Sequence, residues 1–101
     1  MAARDFFGSL ATRVDPARLE GMNQSFLFHV DGEGSWLVDV RNGNLTVTEG
    51  DSHRADVTIR TSANTFERIL QGKQSPTTAY MTGKIKVEGD LGAALKLQKL
   101  F

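Results

Sequence analysis

Two periods alternate along the chain. From Asp5 to Val14 the apolar residues Phe6, Phe7, Leu10 and Val14 recur at spacings of three and four, which predicts a short amphipathic helix. Asp15-Pro16 then offers a capping carboxylate and a proline suited to the first helical position, so a second turn is expected through Ala17–Gly21. From Gln24 the period becomes two. Phe26, Phe28 and Val30 alternate with Leu27, His29 and Asp31, and Trp36, Val38 and Val40 alternate with Leu37, Asp39 and Arg41, which predicts a hairpin. The Arg41-Asn42-Gly43-Asn44 turn leads to a third strand through Leu45 and Val47, and Val57 and Ile59 mark a fourth. Each strand has one apolar and one mostly polar face, as expected of a sheet covered on one side.

Beyond Ile59 the helical period returns. Ser62 is the expected N-cap of a helix bearing Phe66, Ile69 and Leu70 and ending at Gly72. Ser75-Pro76 starts another short helix, with Ala79, Tyr80 and Met81, and a fifth strand follows with Ile85 and Val87 inward and Lys84, Lys86 and Glu88 outward. A last helix is expected from Leu91. At 100° per residue, Leu91, Ala93, Ala94, Leu95, Leu97, Leu100 and Phe101 fill an arc of about 220°, too wide for one surface stripe. Either core, a second subunit or a ligand cavity must cover the extra flank. Gln98 lies inside that arc, where an unpaired amide would cost about 1–3 kcal/mol, so a partner is expected: a backbone carbonyl, a water or the polar end of a ligand. The expected architecture is α+β: a five-stranded, mainly antiparallel sheet with helices packed on one face, in a single domain spanning residues 1–101.

Composition narrows the function. Lys+Arg and Asp+Glu are both 12, so the chain lacks the basic excess expected of a nucleic-acid binder. It has no cysteine, hence no disulfide framework or thiolate chemistry, and no apolar run of about 18 residues that would span a bilayer. The carboxylates Asp31, Glu33, Asp39, Glu49, Asp51 and Asp56 read as turn and outer-face residues, not as an acid/base set. Glu49, Asp51 and His53 offer three potential ligands but lack the further ones a metal site needs, and His29 is expected on the outer face with no obvious serine or cysteine partner. Gly83-Lys84 precedes Ile85, not Ser or Thr, which removes a phosphate-loop reading. No catalytic group, metal or cofactor is expected. Lys84, Lys86, Lys96 and Lys99 read first as ordinary solvated lysines, with a mild basic strip toward acyl-CoA phosphates or anionic lipid heads as the alternative.

The ordered series Ala55-Asp56-Val57-Thr58, a helix ending in Gly72-Lys73, a Pro76-started turn, Gly83-Lys84-Ile85-Lys86-Val87-Glu88-Gly89 and a closing Lys96-Leu97-Gln98 resembles the sterol carrier protein 2 (SCP2) family. The first half, from Phe6 through Asp15-Pro16 and the hairpin, fits as well. The resemblance implies a sheet and helices enclosing an apolar tunnel for sterols, fatty acids, fatty acyl-CoA, phospholipids or isoprenoid-like molecules, bound or transferred without catalysis. It implies lipid contact by Phe66, Ile69, Leu70, Tyr80, Met81, Leu91, Leu95, Gln98 and Phe101. The alternative is an interaction module that pairs with another copy or with a lipid- or quinone-metabolising enzyme. Expected partners are thus an apolar lipid, a membrane touched transiently, and a homodimer or enzyme partner. The chain ends Lys99-Leu100-Phe101 where eukaryotic members carry a Ser-Lys-Leu-type peroxisomal address, so a free-standing cytoplasmic member is expected.

Overall fold

In the computed structural model, which describes residues 3–50 and 54–96, the two periods resolve into one layer of sheet and one of helices. Helix α1 (Ala3–Arg13) buries Ala3, Phe6, Phe7 and Leu10 along one stripe. It stops because Pro16 disfavours helical backbone at Asp15, which sits at ψ 122° and caps a single 3₁₀ turn, Pro16–Leu19, by accepting from the Ala17 N–H. Strands β1 (Ser25–Asp31), β2 (Gly34–Arg41) and β3 (Asn44–Glu49) form an antiparallel meander. Asn42 and Gly43, at φ 52° and 78°, make the paired left-handed turn that joins β2 to β3 with the twist a hairpin needs.

Strand β4 (Val57–Ser62) returns to lie parallel to β1, and β5 (Ile85–Gly89) pairs antiparallel with β4, giving the order β3-β2-β1-β4-β5. Three pairings are antiparallel and one is parallel, within the expected α+β architecture. Asp56 sets the β1–β4 register. Its carboxylate accepts from the Ser25 N–H at 2.9 Å while its own N–H donates to the Ser25 carbonyl at 3.1 Å, which gives the Ala-Asp-x-Thr segment a mechanical role.

Helix α2 (Ala63–Leu70) begins at Ser62, whose hydroxyl accepts from the Thr65 N–H, and closes with Gly72 N–H to the Ile69 carbonyl and Lys73 N–H to the Arg68 carbonyl. Helix α3 (Pro76–Met81) uses Ser75 as N-cap and Pro76 at its first position. Asp90 caps α4 (Leu91–Leu95) by accepting from the Gly92 and Ala93 amides. The four boundaries read from capping chemistry in the sequence, Asp15-Pro16, Ser62, Gly72 and Ser75-Pro76, are therefore found where that chemistry acts, and the structure adds Asp90 as a fifth cap.

The helices cover the sheet unevenly. Over β1, β2 and β3, α1 inserts Phe7 between Trp36 and Phe66, stacked at 4.9 Å and 5.5 Å with interplanar angles of 16° and 15°, and Phe28 abuts it at 5.1 Å. This aromatic cluster fills its half of the sheet; truncating such a buried Phe costs about 3–5 kcal/mol. The outer face departs from expectation at one position. Leu27 is only 4% exposed there, between Leu37 on β2 and Thr58 on β4, so the polar face carries a small apolar island. The expected residues Asp51, His53, Leu97, Gln98, Lys99, Leu100 and Phe101 lie outside the described residues.

Candidate functional site

Sheet register places inward side chains in rows. One row runs Trp36, Phe28, Ile59, Val87 across β2, β1, β4 and β5, and the next runs Val30, Thr61, Ile85. Over the β1–β3 half, α1 buries these rows. Over β4 and β5 the cover comes from α2, α3 and α4, whose facing residues include the small side chains of Gly92 and Ala94, and the layer does not close.

A cavity of about 380 Å³ results, within the range of about 300–1,000 Å³ usual for small-molecule sites. Its floor is Phe28, Ile59, Thr61, Ile85 and Val87 from the sheet; its walls are Phe66 and Ile69 of α2, Pro76, Thr77 and Tyr80 of α3, and Leu91, Gly92, Ala94 and Leu95 of α4. Phe66 separates cavity from core: its ring stacks on Phe7 and meets Phe6 in a T-shaped contact while the residue also lines the open space. Among the described residues, no carboxylate, amine, guanidinium, imidazole or thiol lines the cavity. Its polar atoms are hydroxyls, and that of Thr61 donates to the Lys84 carbonyl at 3.2 Å, tying floor to the α3–β5 connection. The mouth is apolar as well, with Tyr80 46%, Leu91 54% and Leu95 69% exposed.

Five of the residues singled out from the sequence, Phe66, Ile69, Tyr80, Leu91 and Leu95, thus meet at one cavity. Leu70 instead packs half-buried against the core, and Met81 projects from α3 at 78% exposure, outside the wall. Gln98 and Phe101 fall outside the described residues. The apolar face of the sheet was expected to enclose the ligand, but none of its floor residues Phe28, Ile59, Thr61, Ile85 and Val87 was singled out, because alternation says which face a strand residue takes but not whether a helix fills the space above it. The available signal was the contrast between the two phenylalanines of α1 and the small residues of α4.

The outer face corrects one expectation. His29 does have a serine partner: Ser35 Oγ lies 2.6 Å from His29 Nδ1, as cross-strand neighbours in the β1–β2 register. The pair sits on the opposite side of the sheet from the cavity. Among the described residues no cluster of three or more His, Cys, Asp or Glu side chains is placed to hold a metal ion. No helix among them is long and apolar enough to cross a membrane.

Comparison with known proteins agrees with this fold. Residues 7–101 match the model of the SCP-2 sterol transfer family. Hydroxysteroid dehydrogenase-like protein 2 of Xenopus tropicalis is 34% identical over 100 residues, covering 96% of this chain and 24% of that protein. Human sterol carrier protein 2 is 40% identical over 68 residues, 67% of this chain and 12% of that one. The chain therefore spans about a quarter or less of the length of these curated relatives. Among solved structures, the sterol carrier protein domain 2 of Helicoverpa armigera superposes with a TM-score of 0.77 at 26% identity, covering 95% of this chain and 82% of that one. The stereoselective inverting sec-alkylsulfatase Pisa1 from Pseudomonas sp. contains a similar unit, with a TM-score of 0.80 at 27% identity over 99% of this chain and 16% of the sulfatase. With the family model matched over nearly its full length and the same sheet and helices in solved SCP2 structures, this chain belongs to the SCP-2 sterol transfer family.

Proposed function

We propose that the cavity over β4 and β5 takes the apolar part of one lipid molecule, and that the protein binds and transfers or presents that lipid without altering it. The family is one of lipid binding and transfer, and the observation that carries the reading to this site is the cavity itself: fourteen lining residues, none charged, with an apolar mouth. Burial of hydrocarbon supplies the binding energy, about 25 cal/mol per Å² removed from water. Such a wall discriminates weakly between chains of similar girth, so fatty acids, fatty acyl-CoA, phospholipids and sterol- or isoprenoid-like molecules are all candidate cargo. The described wall, apolar apart from hydroxyls, supports a carrier; a catalyst would need groups to move protons or attack. Gln98 and Phe101 remain proposed contacts on sequence grounds alone.

Fluorescent fatty-acid uptake, with competition by acyl-CoA and sterol, together with native mass spectrometry of the purified protein, tests the reading. Leu95→Glu places a charge at a rim position already 69% exposed, so the fold tolerates it and uptake is lost. Ala94→Trp fills the cavity from the α4 side with the same result. A wild-type protein that shows no co-purifying lipid and takes up none of the three probes overturns the proposal; unchanged uptake by Leu95→Glu removes α4 from the wall.

A second reading draws on the relatives. Units similar to this chain occur as 24% of a dehydrogenase-like protein and 16% of a sulfatase, which supports a role beside an enzyme, with the cavity holding a substrate's apolar portion. Concentration-dependent light scattering and co-purification separate it from a free carrier.

A further inference from the structure

We infer that β5 is a self-association edge: it pairs antiparallel with β5 of a second copy about a two-fold axis at Val87, so that two sheets become one. β5 ends the strand order, and among the described residues no strand lies beyond it. Alternate residues of an edge strand turn their N–H and C=O groups away from the sheet, and proteins that stay apart block such an edge with a proline, a bulge or an inward-pointing charge. Ile85–Gly89 contains no proline, and its inward residues, Ile85 and Val87, are apolar and half-buried. The opposite edge, β3, is guarded. Helix α1 and the 3₁₀ turn pack against it, and its single charge, Glu49, is held by Arg4 at 3.1 Å.

Charge complementarity selects both the occupant and the register. A two-fold axis normal to the sheet keeps the two inner faces on one side and must be centred on a residue, because side chains alternate. Centred on Lys86 or Glu88, it sets that residue against its own copy; centred on Ile85 it sets Lys84 against Lys86, and centred on Gly89 it sets Glu88 against Asp90. Each of these opposes like charges. Centred on Val87, it overlaps all five residues and sets Lys86 opposite Glu88 of the second copy, twice over. Glu88 leans on Arg60 at 3.6 Å and stays exposed, while Lys86 has no carboxylate in ion-pair reach among the described residues. A second feature points the same way. Helix α3 leads into the start of β5 and α4 leaves from its end, so the antiparallel pair brings α3 of one copy beside α4 of the other. On these two helices stand Tyr80, Met81, Leu91 and Leu95, the large apolar side chains left exposed among the described residues, and pairing covers them with one another. The inner row Ile59–Val87 then runs on into Val87 and Ile59 of the second copy, which makes the two cavity floors neighbours. The pairing itself does not depend on what the cavity holds. A strand of five residues makes a small seam, so the monomer prevails when the protein is dilute.

Sedimentation equilibrium from micromolar to millimolar protein, with amide hydrogen exchange at both ends of that range, tests this. Wild type is expected to pass from monomer to dimer, the outward amides of β5 gaining protection with concentration while those of β3 do not. Lys86→Glu turns both cross-copy pairs into repulsions and weakens dimerisation about tenfold, from the usual worth of two cross-strand charge pairs. Glu88→Lys does the same. The double variant Lys86→Glu/Glu88→Lys exchanges the two charges and restores association to the wild-type level. Both positions are exposed, so the monomer fold is kept in all three variants, and equal melting temperatures in dilute solution verify it. A protein monomeric throughout, a dimer that protects β3 and not β5, or a double variant no stronger than the single ones overturns the inference. So do outward β5 amides equally protected at both concentrations, since a segment of the same chain then covers that edge.

Discussion

Gly89→Ala is the perturbation through which the fold and the site are most tightly coupled. Gly89 ends β5 opposite Val57, at φ 104°, and a Cβ there would lie 2.3 Å from the Asp56 carbonyl oxygen, 3.2 Å from its carbon and 3.3 Å from Val57 Cα. All three neighbours are backbone, so no side chain can swing aside. The alanine costs about 1–3 kcal/mol in backbone conformation alone. Relieving the clash parts β5 from β4 and breaks the Asp90 N–H to Asp56 carbonyl bond of 3.1 Å, worth about 1 kcal/mol. The expected loss is about 2–4 kcal/mol, which for a chain of this size lowers Tm by about 8–32 °C at about 4–8 °C per kcal/mol. Because Asp90 is the N-cap of α4, the displacement carries Leu91 and Leu95 away from the cavity floor, so fatty-acid uptake weakens even at temperatures where the variant is folded. Chemical denaturation and uptake measured on the same preparation provide the check. A variant within 0.5 kcal/mol of wild type, a margin typical of neutral surface substitutions at about ±0.5 kcal/mol, refutes the argument that this corner needs a residue without a Cβ.

The other expectations are simpler. Asp56→Ala removes the acceptor of the Ser25 N–H and lowers stability by about 1.5–3 kcal/mol in urea titration, since the bond is to a charged group. In a series of saturated fatty acids, affinity rises about fourfold per added methylene, from about 0.8 kcal/mol each, until the cavity is full and the slope flattens; a flat series would place the chain outside the cavity. Ser35→Ala removes the hydroxyl beside His29 on the outer face and leaves lipid uptake unchanged; acyl-thioester hydrolysis by wild type that vanishes in this variant would establish a catalytic pair there.

What could be read from the sequence follows from how far each signal reaches. Caps are local, so Asp15-Pro16, Ser62, Gly72 and Ser75-Pro76 announced their helix ends within a few residues. Alternation is local too, and it correctly faced Phe26, Phe28, Ile59, Ile85 and Val87 inward. Pairing is not local. The parallel contact of β1 with β4 depends on residues some thirty positions apart, such as Ser25 and Asp56, and nothing in either strand names its neighbour. The same distance dependence hid the His29–Ser35 contact, which exists only in the register that the β1–β2 turn imposes. For the cavity, the helical stripes identified α2, α3 and α4 as its walls, but Leu70 and Ile69 differ by one position on one helix, and a turn of 100° decides between packing on the core and facing the open space.

The uneven cover of the sheet also separates the molecule in time. Strands β1 to β3 follow one another through tight turns and can pair early, since their loop-closure cost is small, whereas β4 must cross back to β1 and β5 must then wait for β4. The half assembled last is the half without an aromatic centre, so it is expected to open most readily in the native state, with β5 and α3 exchanging their amide hydrogens before β1 and β2. A cargo too wide for the resting mouth would then come and go through a partial unfolding of one side while the Phe7 cluster holds the other.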